Sequence, residues 1–168
     1  GCVGTRSGAS AAMRESLAIA SALSDRAPDN TDWQFQLGQS QFWVGYLLWQ
    51  QRDLDAALEH FRAYLDISQA LVARDPQDRT WLLELAYAHS NIGTIEAEQG
   101  SYRTAGAALR ASAGIMETLL AQTPDDGRLE HELAQVQAKI GDALRAAGEL
   151  AAAATWFDKH LATMTALA

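Results

Sequence analysis

Three stretches decide the fold: Pro28-Asp29-Asn30-Thr31-Asp32-Trp33, Pro76-Gln77-Asp78-Arg79-Thr80-Trp81 and Pro124-Asp125-Asp126-Gly127-Arg128-Leu129. They hold all three prolines of the chain, each 48 residues after the last, and the same step carries Trp33 to Trp81. Working outward, Gly45, Gly93 and Gly141 keep the step, and so do Leu37, Leu85 and Leu133. Val44, Ile92 and Ile140 follow it, as do Ala57, Ala105 and Ala153, and Phe61, Leu109 and Phe157. No gap is needed, so the chain is an internal repeat.

Each period reads as two helices. Asn30, Asp78 and Asp126 are short polar residues suited to accept an orphan amide of a first helical turn. Helix A is expected over 31–50, 79–98 and 127–146. Its apolar positions, such as Leu37, Val44 and Leu48, recur at steps of seven and four, a helical rather than a strand spacing. A short turn follows at Gln51-Arg52-Asp53, Gly100-Ser101 and Gly148-Glu149, where glycine can close helix A in the left-handed conformation and Asp53 and Ser101 can cap helix B. Helix B carries Ala57, Phe61, Leu65 and Leu71 and ends before Asp75-Pro76, because proline cannot donate to a helix.

These positions resemble the tetratricopeptide (TPR) family. A small residue in mid-helix A follows an apolar one; an alanine comes twelve positions later and a large apolar residue four beyond that. Val44, Gly45, Ala57 and Phe61 fit this pattern, as do Ile92, Gly93, Ala105 and Leu109, then Ile140, Gly141, Ala153 and Phe157. The family's usual period is 34 residues; this one is longer by about four helical turns. Such long units are similar to those of large bacterial signalling proteins. The resemblance implies an all-α solenoid of antiparallel helix pairs, with the large apolar residue filling the space between units and the pairs stacked in a right-handed superhelical sense.

Back-projecting by 48 makes residues 10–27 a B helix without its A partner, with Met13, Leu17, Ile19 and Leu23 in the positions of Phe61, Leu65, Ile67 and Leu71. The expected organisation is a flexible segment 1–9, then one repeat domain 10–168 divided into a half unit 10–29 and units 30–77, 78–125 and 126–168. About seven helices follow. The ends lack the polar caps a solenoid needs, so the chain reads as part of a longer array, or as one whose ends are covered by another subunit.

The formal charge of −8 disfavours nucleic acid, which demands clustered cations. No apolar run reaches the length of a membrane span. A single cysteine, Cys2, rules out an intrachain disulfide and suits a cytoplasmic protein. A lipoprotein start at Cys2 is a minor alternative. His60, His89, His131 and His160 are scattered over different helices, with no metal-binding spacing and no nucleophile motif. Neither enzyme activity, nor a cofactor, nor a metal is expected.

The anomaly is aromatic. Trp33, Phe35, Phe42, Trp43, Tyr46 and Trp49, six of the thirteen aromatic residues, fall in the first A helix. The repeat is its own control: Phe42 aligns with Ser90 and Ala138, Trp43 with Asn91 and Lys139, Tyr46 with Thr94 and Asp142, and Trp49 with Ala97 and Arg145. The resemblance places a ligand groove on helix A, at Gln39, Phe42, Tyr46, Trp49 and Gln50 in the first unit. By register the groove continues through Tyr87, Ser90, Thr94, Glu98, Gln135, Asp142 and Arg145. The expected function is a protein-interaction scaffold binding a peptide, a partner domain or another domain of its own parent chain. An oligomerisation module using the open ends, or the regulatory arm of a larger signalling enzyme, is the alternative. Trp33 and Trp81 recur in register and are expected in the core. The rings of Phe42, Tyr46 and Trp49 are either groove surface or core under a neighbouring helix.

Overall fold

The computed structural model describes the backbone of residues 3–167 and the side chains of 11–167. Gly1, Cys2 and Ala168 lie outside the described residues, and with them the lipoprotein reading of Cys2. The fold is all-α, with seven helices among the described residues: α1 (Val3–Arg26), α2 (Thr31–Gln50), α3 (Leu54–Arg74), α4 (Arg79–Glu98), α5 (Tyr102–Gln122), α6 (Gly127–Ala146) and α7 (Leu150–Ala166). The A helices α2, α4 and α6 occupy the expected spans. The first helix differs: it begins at Val3 rather than near residue 10, so the backbone of 3–9, read as a flexible start, is helical. No proline precedes Pro28, and nothing else in the backbone bars the helix from extending backward.

The chain gathers into two compact lobes, Gly1–Asp78 and Arg79–Ala168. The division falls at a repeat boundary. In the first lobe α2 packs on α1 and α3; in the second, α5 packs on α4 and α6, and α6 on α7.

Local chemistry explains the helix ends. The Asn30 side chain accepts from the Trp33 amide at 3.0 Å, Asp126 from Leu129 at 3.0 Å and Asp53 from Ala56 at 3.3 Å. Ser101 does not cap α5 through its side chain; its carbonyl instead accepts from the Thr104 hydroxyl at 2.9 Å. All three A-to-B turns close alike. The amides of Asp53, Ser101 and Glu149 reach back to the carbonyls of Leu48, Glu96 and Leu144 at 3.0, 2.8 and 2.9 Å. That bond requires a left-handed residue before it: Gly100 (φ 82°), Gly148 (φ 83°) and, without glycine's freedom, Arg52 (φ 66°).

The pairs are antiparallel. Gly38 faces Tyr64 and Ile67, whereas Gly45, a turn or two later, faces His60 and Phe61. Phe61 and Leu109 are almost wholly buried, and each lies directly on the glycine of its own pair, Gly45 and Gly93. The large apolar residue is thus first a filler within its pair. One register position trades size across the helix pair: Gly38 meets Tyr64, while the equivalent places hold Ala86 with Ser112 and Ala134 with His160. The ring of Tyr64 fits because Gly38 offers no side chain. The core of the second lobe runs through Leu109, Met116, Leu119, Leu133, Val136, Ile140 and Leu144. The α1–α2 seam is more polar: Gln34 donates to the Ser24 hydroxyl at 2.7 Å, and the Ser16 and Ser40 hydroxyls lie 3.5 Å apart.

Candidate functional site

Steps of four and three put Phe42, Tyr46 and Trp49 on one face of α2. The structure brings their rings into a row. Phe42 stacks on Tyr46 with centroids 6.1 Å apart, and Tyr46 meets Trp49 edge-on at 5.9 Å. Trp43 joins from the side, at 5.0 Å from Phe42 and 6.1 Å from Tyr46. The row is anchored at one end, where Phe42 lies 6.2 Å from Phe61 and 5.8 Å from Tyr64 on α3. None of the four rings is buried: Phe42, Tyr46 and Trp49 are half-buried, and Trp43 is 48% exposed. Trp33 and Trp81 are likewise half-buried rather than core. They stand in the first turns of their helices, and Trp33 lines an open cleft of about 400 Å³ between α1 and α2.

Gln39 borders a second hollow of about 340 Å³, with Met13, Gln36 and Trp43. Gln50 is exposed at the end of α2. Gln39 thus meets the aromatic row at Trp43, which lines the same hollow.

In the second lobe the expected residues divide into two places. Thr94 and Glu98 on α4 and Asp142 and Arg145 on α6 come together around a pocket of about 350 Å³. Ala97, Tyr102, Leu109, Ala143 and Ala146 supply its apolar wall, and Lys139 stands at its edge. Lys139 donates to the Thr94 hydroxyl at 3.2 Å, and Arg145 pairs with Asp142 at 3.0 Å. Tyr87 lies elsewhere, donating its hydroxyl to Glu132 at 2.7 Å; Glu132 is also held by Arg128 at 3.0 Å. Burial first, then the bond to Glu132, push the Tyr87 phenol well above its ordinary pKa. This network, with the Arg79–Asp126 pair beside it, joins α4 to α6. Ser90 is half-buried, and its carbonyl accepts from Thr94 at 2.8 Å. Gln135 is exposed and bonded to His131 at 2.9 Å, away from the pocket.

Sequence reasoning did not assign Lys139 or Tyr102 to a site. Lys139 could have been found, since it stands in register with Trp43 and Asn91. The remaining histidines have structural partners or are half-buried. His60 Nδ1 lies 2.6 Å from the side-chain amide oxygen Oε1 of Gln41, and His160 donates to the Ala134 backbone carbonyl at 2.8 Å. Desolvation lowers the His89 pKa. Among the described residues no three His, Cys, Asp or Glu side chains are grouped to hold a metal ion. No helix among them is long and apolar enough to cross a membrane.

The chain matches no protein-family model, and no curated protein matches it. Among solved structures it is similar to one described as the crystal structure of BtubC (BKLC) from P. vanneervenii. The similarity spans 96% of this chain and 92% of that one, at 13% identity and a TM-score of 0.38, too low to bear on fold or function.

Proposed function

We propose that the chain is a TPR-like interaction scaffold that binds a protein segment on its helix-A faces. The observation that carries this reading is the α2 row of Phe42, Trp43, Tyr46 and Trp49: four touching rings, none buried. Aromatic clusters that are held in place and still accessible are the usual anchors of protein interfaces, because rigid rings bury much area at little entropic cost. The other repeats put Ser90, Asn91, Thr94 and Ala97, or Ala138, Lys139, Asp142 and Arg145, in the same positions, so the fold does not need rings there. We infer no catalytic role, and place the protein in the cytoplasm of a bacterium, as a module able to engage another domain of its own parent chain.

The test is a displayed library of random peptides selected on the full chain, followed by Trp49→Ala and Trp43→Ala. Selected peptides should bind both variants more weakly by about 2 kcal/mol, with unchanged helicity and nearly unchanged Tm. Loss of about 3–5 kcal/mol of stability in Trp49→Ala, the cost of truncating a core aromatic, would overturn the reading. Equal binding by the variants would do the same.

A second reading has its own observation. Ile19 on α1 is 55% exposed, and Leu150 and Leu161 on α7 are 67% and 65% exposed. Apolar side chains open at both helices favour self-association. Light scattering decides it: a mass of one chain at high concentration rules it out.

A further inference from the structure

Lys139 has an unusual setting in the second lobe. Its ammonium has one hydrogen bond, to the Thr94 hydroxyl at 3.2 Å, and among the described residues it is paired with no carboxylate. Its neighbours explain why. Asp142 is already matched by Arg145 at 3.0 Å, and Glu98 stands at the exposed end of α4 with an interaction of its own. The side chain as a whole is open to solvent, yet desolvation by the surrounding atoms holds its pKa below the ordinary lysine value. A cation short of a counter-charge stands at the edge of a pocket of about 350 Å³ whose wall is Ala97, Leu109, Ala143, Ala146 and the ring of Tyr102.

We propose that this pocket binds a small aliphatic monocarboxylate, its chain against the alanine and leucine wall and its carboxylate on the Lys139 ammonium and the Thr94 hydroxyl. The volume lies in the range of small-molecule sites, which combine an apolar lining with a few placed polar groups. The charge balance selects the ligand. Asp142 and Arg145 cancel, and Glu98, the other carboxylate of the lining, has an interaction of its own, so the group left without a charged partner is the Lys139 ammonium, which calls for an anion, while the wall calls for hydrocarbon. Thr94 can present its hydroxyl in two roles: it donates to the Ser90 carbonyl at 2.8 Å and accepts from Lys139. On arrival of a carboxylate it rotates to donate to the ligand. The proposal rests on the interaction reading only in treating the α4–α6 face as a ligand surface.

The experiment uses the full ¹⁵N-labelled chain, titrated with hexanoate, with hexanamide as the neutral isostere. Hexanoate should shift the amides of Thr94, Ala97, Ala143 and Ala146 saturably, and hexanamide should not. Lys139→Met keeps the aliphatic stem and should weaken hexanoate by about tenfold, the worth of one charge-assisted hydrogen bond. Lys139→Arg should retain most of the affinity. The same shifts with hexanamide, an unchanged Kd in Lys139→Met, or no saturable shift with hexanoate would each overturn the proposal. Trp49→Ala in the other lobe separates it from the peptide-binding reading: hexanoate affinity should be unaffected there, whatever happens to peptide capture.

Discussion

Gly93 and Leu109 are packed so closely that a methyl group built on the glycine would lie 2.6 Å from the leucine Cγ and 3.0 Å from the Ala105 carbonyl oxygen. At Gly45 the nearest atoms of Phe61 and His60 would be 3.1 and 3.2 Å away. Leu109 is almost wholly buried, and the Ala105 carbonyl, part of a helix, cannot give way. Gly93→Ala is therefore expected to cost about 1–3 kcal/mol by overpacking, and Gly45→Ala less. Urea melts of the two variants check this. The same small loss in both would mean the contact is softer than its distances.

Arg52 sits at φ 66° where the two equivalent turns use Gly100 and Gly148. A side chain there strains the backbone that glycine adopts freely, so Arg52→Gly should stabilise by about 0.5–1 kcal/mol. Gly100→Arg should destabilise by a similar amount. Denaturant midpoints measured side by side test the pair, and a loss of stability in Arg52→Gly would contradict it.

Ser112 is fully buried and its hydroxyl has no hydrogen-bond partner among the described residues. Removing an unsatisfied buried polar atom relieves its desolvation cost, so Ser112→Ala should be neutral or stabilising by up to about 1 kcal/mol. A thermal melt showing a clear loss would reveal a partner for the hydroxyl.

Burial lowers the pKa of His60, with Glu59 opposing and Arg14 adding to the shift, and burial alone lowers that of His89. A histidine with a depressed folded pKa takes up its proton on unfolding. Stability is then greatest above the unfolded value near 6.5 and falls as pH drops through it toward the folded values. Tm should decline between about pH 7.5 and 5.5, and the decline should shrink in His60→Gln/His89→Gln. A flat Tm over that range would show that neither histidine is coupled to folding.

Helix spans, turns and caps were legible because each is written locally and repeated. Proline spacing set the boundaries, and Asn30, Asp53 and Asp126 carried their caps with them. Ser101 was the exception, since its hydroxyl makes no cap bond and only its carbonyl is used. Gly93 and Gly141 hold one register position, and a methyl group built on Gly141 would lie 2.6 Å from the Phe157 ring, as the one on Gly93 would from Leu109. What could not be read was how far each side chain is covered. The spacing of Phe42, Tyr46 and Trp49 puts them along one side of α2, but only the structure shows that Phe42 rests on Phe61 and Tyr64 while Trp43 stays open. Tyr87 shared the register of the groove and was claimed by Glu132, a partner 45 residues away. Lys139 kept the register of Trp43, but the apolar wall beside it is assembled from three helices and is not written around it in the chain. The two-lobe division has no sequence mark, because the repeat is equally strict across it.

The ring row has an optical consequence. Phe42, Trp43, Tyr46 and Trp49 hold neighbouring centroids 5.0 to 6.1 Å apart at fixed angles, close enough for their electronic transitions to couple and for tyrosine excitation to pass to indole. Such coupling produces circular dichroism in the near ultraviolet only while the rings keep one geometry, and Phe42 keeps it by leaning on α3. The first lobe thus contains its own chromophore array, whose signal reports the α2–α3 contact without any added label.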